Sequence, residues 1–494
     1  MSIHWPILRR LITHPLKTAA VDDRRSYRGI DLVVASMHVA DAIEAEAKTK
    51  HVGLMLPTSG AFPISALGAW SAGKTIVPLN YLLKPAELQY VIDDSEIDTI
   101  VTVGPMLDFI GHTPSNVKIL KLEDLNFKSI PSPRIPAFTS GDELAALIYT
   151  SGTSGRPKGV MLSHRAIKTN ALQGAKGLNL TQGDSFFGVL PQFHSYGMTQ
   201  LTITPLISGV KVIYTARFQP KKLLTLVREH QATIFVGIPS MFNALAGIRS
   251  AGPDDVASLR LVVSGSEGLP SAVYDKFHAK FGKPISEGYG MTEMAPGTHC
   301  CLTGDTERAT VGPPLPGIEQ RIVDPKTEEV LGFNQDGEVR LRGPNMMDGY
   351  WKLPEITAKA FDADGFYKTG DQGRIRPDGF LSITGRIKEM IIVAGENVFP
   401  REIEEVIDRH PAVKACGVTG MPDDTRGEVP IAFVELEDDA ADTDTREILT
   451  FCREHIAGYK VPKEIRAVEA LPRNPTGKVL RRGLLELLPA DATA

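Results

Sequence analysis

Short apolar runs alternate with amphipathic stretches through the first third of this chain, and that rhythm restricts the fold more than any other feature. "HVGLMLP" (51–57), "TIVPL" (75–79) and "TIVTV" (99–103) read as buried strands, whereas residues 60–73 and "KPAELQYVIDDS" read as helices. Strands separated by helices need crossover connections, which produce a largely parallel sheet covered on both faces. The pattern returns at "ATIFVGIPSMFNALA" (232–246) and "SLRLVVSGSEG" (258–268). From about residue 310 onward the texture changes. "DGEVRLRG" and "GFYKTGDQGRIRPDGFLSITGR" are short alternating segments broken by Gly, Asp and Pro, as antiparallel hairpins require. Beyond Arg386 come a strand ("EMIIV"), a helix ("FPREIEEVIDRH"), two strands ("KACGVTG", "VPIAFVELE") and a helix over 445–456. That segment has the size of a small independent domain. The prediction is an α/β chain with a large N-terminal domain, 1–385, of mostly parallel sheets covered by helices plus a β-rich subdomain. A small α+β C-terminal domain, 386–494, follows.

Composition narrows the function. The 494 residues are 42% hydrophobic, enough for a large core in more than one domain. The net charge of −5 and the lack of a long basic run argue against a nucleic-acid partner. Four cysteines (Cys300, Cys301, Cys416, Cys452) are too few and too scattered for a disulfide framework or a zinc site, which fits a reducing compartment. No window approaches the roughly 20 apolar residues of a membrane span, and the N-terminus lacks the apolar core of a signal peptide. A soluble, cytoplasmic protein is expected.

The segment most suggestive of chemistry is "YTSGTSGRPKGVMLSH" (149–164). Thr150, Ser151, Gly152, Thr153, Ser154 and Gly155 put hydroxyls and glycines directly after an apolar run, and Lys158 follows. Glycines let successive backbone N–H groups face a phosphate, hydroxyls add donors, and lysine adds charge. No lysine sits directly after the second glycine, so this is not a Walker A loop. Three further segments stand out: "EGYGMTE" (287–293), "YKTGDQGRI" (367–375) and "PRNPTGKVLRR" (472–482). Each alone also fits a plain turn.

Taken in order with "GRIKEMIIVAGENVFPREIEE" (385–405), these motifs resemble the adenylate-forming superfamily of acyl-CoA synthetases, peptide-synthetase adenylation domains and luciferases. The resemblance covers nearly the whole chain, and "FHSYG", "SGSEGL" and "KPISEGYGMTE" look like its fatty-acyl branch. It implies ATP-dependent formation of an acyl-adenylate, assisted by Mg²⁺, then transfer of the acyl group to the thiol of coenzyme A. Acyl carrier protein is the alternative acceptor, an aryl or short-chain acid the alternative substrate, and a homodimer one option for assembly. The resemblance further implies that residues 150–155 and Lys158 cradle phosphates and that Tyr289, between Gly288 and Gly290, stacks on adenine. Thr292 then contacts the α-phosphate, Glu293 holds Mg²⁺, Asp371 binds the ribose hydroxyls, and Arg386 adds a ribose or phosphate contact. Ser266 and Glu267 join the nucleotide site, and Lys478 drives adenylation. The family rotates its small domain, which places a hinge at Lys388 and lines a pantetheine tunnel with "VAGEN", including Gly395. Lys460 and Lys463 of "GYKVPK" are weaker phosphate candidates. His194 of "LPQFHSYGM" borders the acyl pocket, whose other segments ("VGIPSMF", "SGSEGL", "GYGM") are small and apolar. The pair Glu267–Gly268 departs from the commoner pattern of small residues followed by proline.

Overall fold

A computed structural model of the chain describes residues 2–150, 156–301, 308–423, 425–473 and 478–488. Among these residues the strands form four sheets. One runs, edge to edge, Gly349–Tyr350, Lys158–Ser163, Leu144–Thr150, Thr75–Pro78, His51–Met55, Thr99–Thr102 and Lys118–Lys121. Its last five strands are parallel, and its first two pair antiparallel. His51–Met55 is buried along its whole length, which is why it reads as an unbroken apolar run instead of an alternating one.

A second sheet carries Ser286–Gly290, Leu261–Ser264, Ile234–Gly237, Ser185–Gly188, Lys211–Tyr214 and Thr18–Val21 in parallel order, closed by an antiparallel strand at each edge. The two sheets share one large core that includes Trp70, Phe186, Phe187, Phe235 and Phe242. The β-rich portion is a four-stranded antiparallel sheet of Glu319–Val323, Gly337–Arg342, Tyr367–Ile375 and Leu381–Arg386. The C-terminal domain wraps the helices Pro400–Ile407 and Thr445–His455 against a sheet whose main strands are Val413–Asp423 and Gly427–Leu436. Ile391, Ile403, Val418, Val434 and Ile448 give it a core of its own.

Two local expectations shift. The helix expected over 60–73 spans Ala61–Ser71, because Gly73 takes φ +68° and cannot continue it. The strand expected at "EMIIV" shortens to Ile391–Val393, since Ile387–Glu389 forms a 3₁₀ turn that joins two sheets. Sequence reasoning also gave no sign that Tyr196–Ile203 would form a π-helix, a geometry common beside functional sites. Among the described residues, no helix is long and apolar enough to cross a membrane.

Candidate active site

The Gly-rich segment connects two antiparallel strands, and Thr150 and Lys158 face each other at its base. Ser151, Gly152, Thr153, Ser154 and Gly155 lie outside the described residues. Lys158 Nζ stands 5.5 Å above the ring of Tyr350, within the range of a cation–π contact. The Tyr350 phenol donates to Glu293 Oε1 at 2.8 Å and lies 3.3 Å from the Tyr367 hydroxyl. Register explains the meeting: Gly349–Tyr350 pairs with the strand that Lys158 begins, so the phenol reaches the short turn bearing Glu293. Sequence reasoning named Lys158 and Glu293 but assigned no role to Tyr350 or to Tyr367, although Tyr367 opens the quoted segment "YKTGDQGRI".

A second cluster joins residues far apart in sequence. Asp371 and Arg386 are direct cross-strand partners, and Arg386 Nε lies 2.8 Å from Asp371 Oδ1. The Tyr289 phenol donates to Asp371 Oδ2 at 2.5 Å. Asp371 is only 3% exposed. Burial pushes its carboxyl up, opposed by the Arg386 guanidinium and the Tyr289 phenol. Lys478 faces the same region: burial lowers its ammonium, as does the charge of Arg386, while Glu389 and Glu267 oppose that shift. Burial raises Glu267, with Lys478 the foremost opposing charge. Ser266, at φ +71°, turns the chain at the mouth of the cavity beside it.

That cavity, about 250 Å³, runs inward from Ser266, Gly288–Thr292 and Lys478. Leu178, Phe186, Leu190, Val236, Ile238 and Val263 form much of its wall. Its polar side chains are largely committed elsewhere. Gln200 donates to Asn170 Oδ1 at 2.7 Å and accepts from Thr204, while the His299 ring is engaged by Thr298 and Gln320. The Thr292 and Ser195 hydroxyls pair at 3.1 Å. His194 also lines the cavity, and burial pushes its imidazole down to about 4. Its Nε2 finds no hydrogen-bond partner among the described residues. Among the described residues, Lys478 is the one charged side chain that lines this cavity.

The other candidates are placed apart. Ala394 (φ +51°) and Gly395 (φ +90°) form the exposed tip of the hairpin joining Ile391–Val393 to Glu396–Val398, outside the cavity. Lys388 sits in the 3₁₀ turn between the strands Leu381–Arg386 and Ile391–Val393, which belong to different sheets. Lys460 pairs with Glu402, and Lys463 pairs with Asp423 at 3.0 Å. A wider cleft of about 760 Å³ separates the small domain from the large one, and Ser266, Glu267, Asp371, Arg386 and Lys478 lie along it.

A tyrosine–aspartate–arginine cluster lines the cleft, and Lys478 lines both that cleft and the apolar cavity, an arrangement in keeping with an adenylate-forming enzyme. The profile of the AMP-binding enzyme family matches residues 9–351, and that of the AMP-binding enzyme C-terminal domain matches residues 402–478. The chain is 32% identical to a long-chain-fatty-acid–CoA ligase of Bacillus subtilis (strain 168), over 92% of this chain and 89% of that one. It is 30% identical to a feruloyl-CoA synthase of Amycolatopsis sp., over 97% of each. It matches ATP-bound MatB from Rhodopseudomonas palustris at TM-score 0.89 and 31% identity, over 98% of this chain and 99% of that one. The apo crystal structure of MatB matches at TM-score 0.79 over the same share. The chain belongs to the AMP-binding enzyme family. It is an AMP-forming acid–CoA ligase that works through an acyl-adenylate and uses ATP, Mg²⁺ and coenzyme A.

The residues present suit these groups. Among the described residues, no cluster of three or more His, Cys, Asp or Glu could hold a metal ion alone. Glu293 is a single oriented carboxylate, and Mg²⁺ commonly takes one or two carboxylates plus phosphate oxygens and water.

Proposed function

We propose that this enzyme converts a hydrophobic monocarboxylic acid, a fatty acid of medium length, into its coenzyme A thioester. The observation that supports this reading is the cavity of about 250 Å³, walled largely by apolar side chains, with Lys478 as its one charged side chain among the described residues. Ligand pockets commonly span about 300–1,000 Å³, so this one suits a medium chain better than a long one. Gln200 and His299 are held by other protein groups, and His194, neutral at physiological pH, offers no charge to a second carboxylate or an amine. A single-ring aryl acid is the second reading, favoured by the likeness to a feruloyl-CoA synthase.

In this reading the substrate carboxylate lies at the cavity mouth, beside Lys478 and Thr292. Its attack on the α-phosphorus of ATP expels pyrophosphate, so two anions must be held together as charge redistributes. Lys478 and Lys158 supply cations fixed before the reaction, which makes positioning and electrostatic stabilisation the main catalytic terms. Thr150 and residues 151–155 cradle the phosphates from backbone N–H groups and hydroxyls, while Tyr289, flanked by Gly288 and Gly290, offers its ring to adenine. Asp371 and Arg386 hold the ribose. Glu293 would hold Mg²⁺, which neutralises phosphate charge when bound. His194, neutral at physiological pH, borders the acyl chain as a shape element and not as a base. Lys388 is the pivot between domains 1–385 and 386–494, and movement about it brings the Gly395 hairpin to the pantetheine arm.

The two half-reactions test the assignment of Lys478. Lys478→Ala should lower acid-dependent ATP–pyrophosphate exchange on the order of 100-fold or more, while sparing thioester formation from synthetic acyl-adenylate. Equal damage to both would refute it.

A further inference from the structure

The helix Pro400–Ile407 of the C-terminal domain carries Arg401 onto the large domain. Arg401 Nη1 donates to the carbonyl oxygen of Ile383 at 3.0 Å, and its Nε is steadied by Glu405 on its own helix at 3.1 Å. The guanidinium plane rests on Gly268, where a Cβ would stand 2.4 Å from Arg401 Cζ. Nearby lies Glu287, 8% exposed, which accepts from the backbone N–H of Leu269 at 3.3 Å. Burial raises the Glu287 carboxyl, and Arg401 is the leading charge that opposes the rise, ahead of Arg308. A carbonyl, a bare glycine and a buried carboxylate of the large domain thus converge on one side chain of the small domain.

Other links across the cleft are slighter. The pair Lys276–Glu437, at 3.3 Å, is substantially exposed on both sides and adds little in water. Arg401 is different because its acceptor is part-buried and its seat exists only where residue 268 lacks a side chain. Gly268 is also half of the Glu267–Gly268 pair that sets this chain apart from the commoner family pattern. Its φ lies outside the left-handed region, so the backbone does not itself demand glycine. Contact with Arg401 does.

We infer that Arg401 is a positioning residue for adenylate formation: seated on Gly268 and bonded to Ile383, it holds the C-terminal domain where Lys478 faces the nucleotide end of the cavity. The inference rests on the reading of Lys478 given above. Arg401 touches no reacting atom; it fixes the pose of the domain that carries the lysine. A methyl group at 268 pushes aside the far end of a flexible side chain and leaves the backbone in place, so Gly268→Ala unseats Arg401 without disturbing the fold.

A double-mutant cycle tests this. Arg401→Ala, Gly268→Ala and the double variant are compared in acid-dependent ATP–pyrophosphate exchange, in thioester formation from synthetic acyl-adenylate with coenzyme A, and in thermal midpoint. Each single variant should lose exchange on the order of ten-fold, the scale of one hydrogen bond to a charged group. Thioester formation and the midpoint should hold. The double variant should be no slower than Arg401→Ala alone, because residues that act through one contact are not additive. Arg401→Lys, which keeps a donor for Ile383, should recover part of the loss. Multiplying losses in the double variant, or equal loss in both half-reactions, would overturn the inference. If Lys478→Ala abolishes exchange while both Arg401 variants leave it untouched, this inference fails and the reading of Lys478 survives. If Lys478→Ala leaves exchange intact, the reading of Lys478 falls and this inference with it.

Discussion

The phenol of Tyr289 donates to the carboxylate of Asp371 at 2.5 Å, tying together two motifs 82 residues apart. Arg386 binds the other carboxylate oxygen at 2.8 Å. Asp371→Asn keeps the shape and removes the charge that both partners use. Charge-assisted hydrogen bonds contribute roughly 1.5–3 kcal/mol, so the ATP KM should rise about ten-fold or more. Tyr289→Phe keeps the ring and loses only the tie, and its effect should be smaller. An ATP KM equal to wild type in Asp371→Asn, measured by steady-state kinetics, would make Asp371 a structural turn residue.

Tyr350 orients Glu293 through a 2.8 Å hydrogen bond and presents its ring to Lys158. Tyr350→Phe preserves the ring and deletes the donor. Groups that orient metal ligands typically cost 10–100-fold in metal affinity or activity when removed. Mg²⁺-dependent ATP binding, followed by calorimetry, should therefore need about ten-fold more Mg²⁺. A superimposable Mg²⁺ titration would show that Glu293 needs no support from Tyr350.

Burial pushes the His194 imidazole from 6.5 down to about 4. Between those values the unfolded chain binds the proton and the folded one does not, so stability rises with pH through that window and falls on acidification. At about 1.4 kcal/mol per pKa unit, the full effect is on the order of 3 kcal/mol. His194→Gln removes it. The difference in unfolding free energy between wild type and variant should shift against the wild type as pH drops from 6.5 to 4. A difference independent of pH would mean that the ring is solvated. Activity between pH 6.5 and 8 should show no ionisation from His194.

Much of the N-terminal domain was legible because its strands are buried on both faces and its helices carry ordinary stop signals. "TIVPL" became Thr75–Pro78, and "KPAELQYVIDDS" became Pro85–Asp94 with proline in its first turn. Helix ends shifted by a residue or two: the helix read as ending at Gly73 stops at Ser71, and Gly73 takes φ +68° just beyond it. Within the site, the sequence marked Tyr289, Asp371 and Arg386, and the fold brings them within bonding distance. Tyr350 escaped notice because its importance comes from strand register, which no local motif encodes. Arg401 escaped for the same reason: its seat on Gly268 exists only once two separate domains meet. The Gly395 hairpin lies outside the cavity.

Substrate length tests the central claim most directly. The cavity wall is largely apolar, and among the described residues Lys478 is its one charged side chain, so each methylene that leaves water should add about 0.8 kcal/mol. Thioester formation with coenzyme A should be measured across straight-chain acids of increasing length, alongside single-ring aryl, dicarboxylic and amino acids. kcat/KM should rise roughly ten-fold for every two carbons, reach a maximum at medium length and then fall as the chain outgrows the cavity. A preference for a dicarboxylic or amino acid, or a response indifferent to chain length, would contradict it.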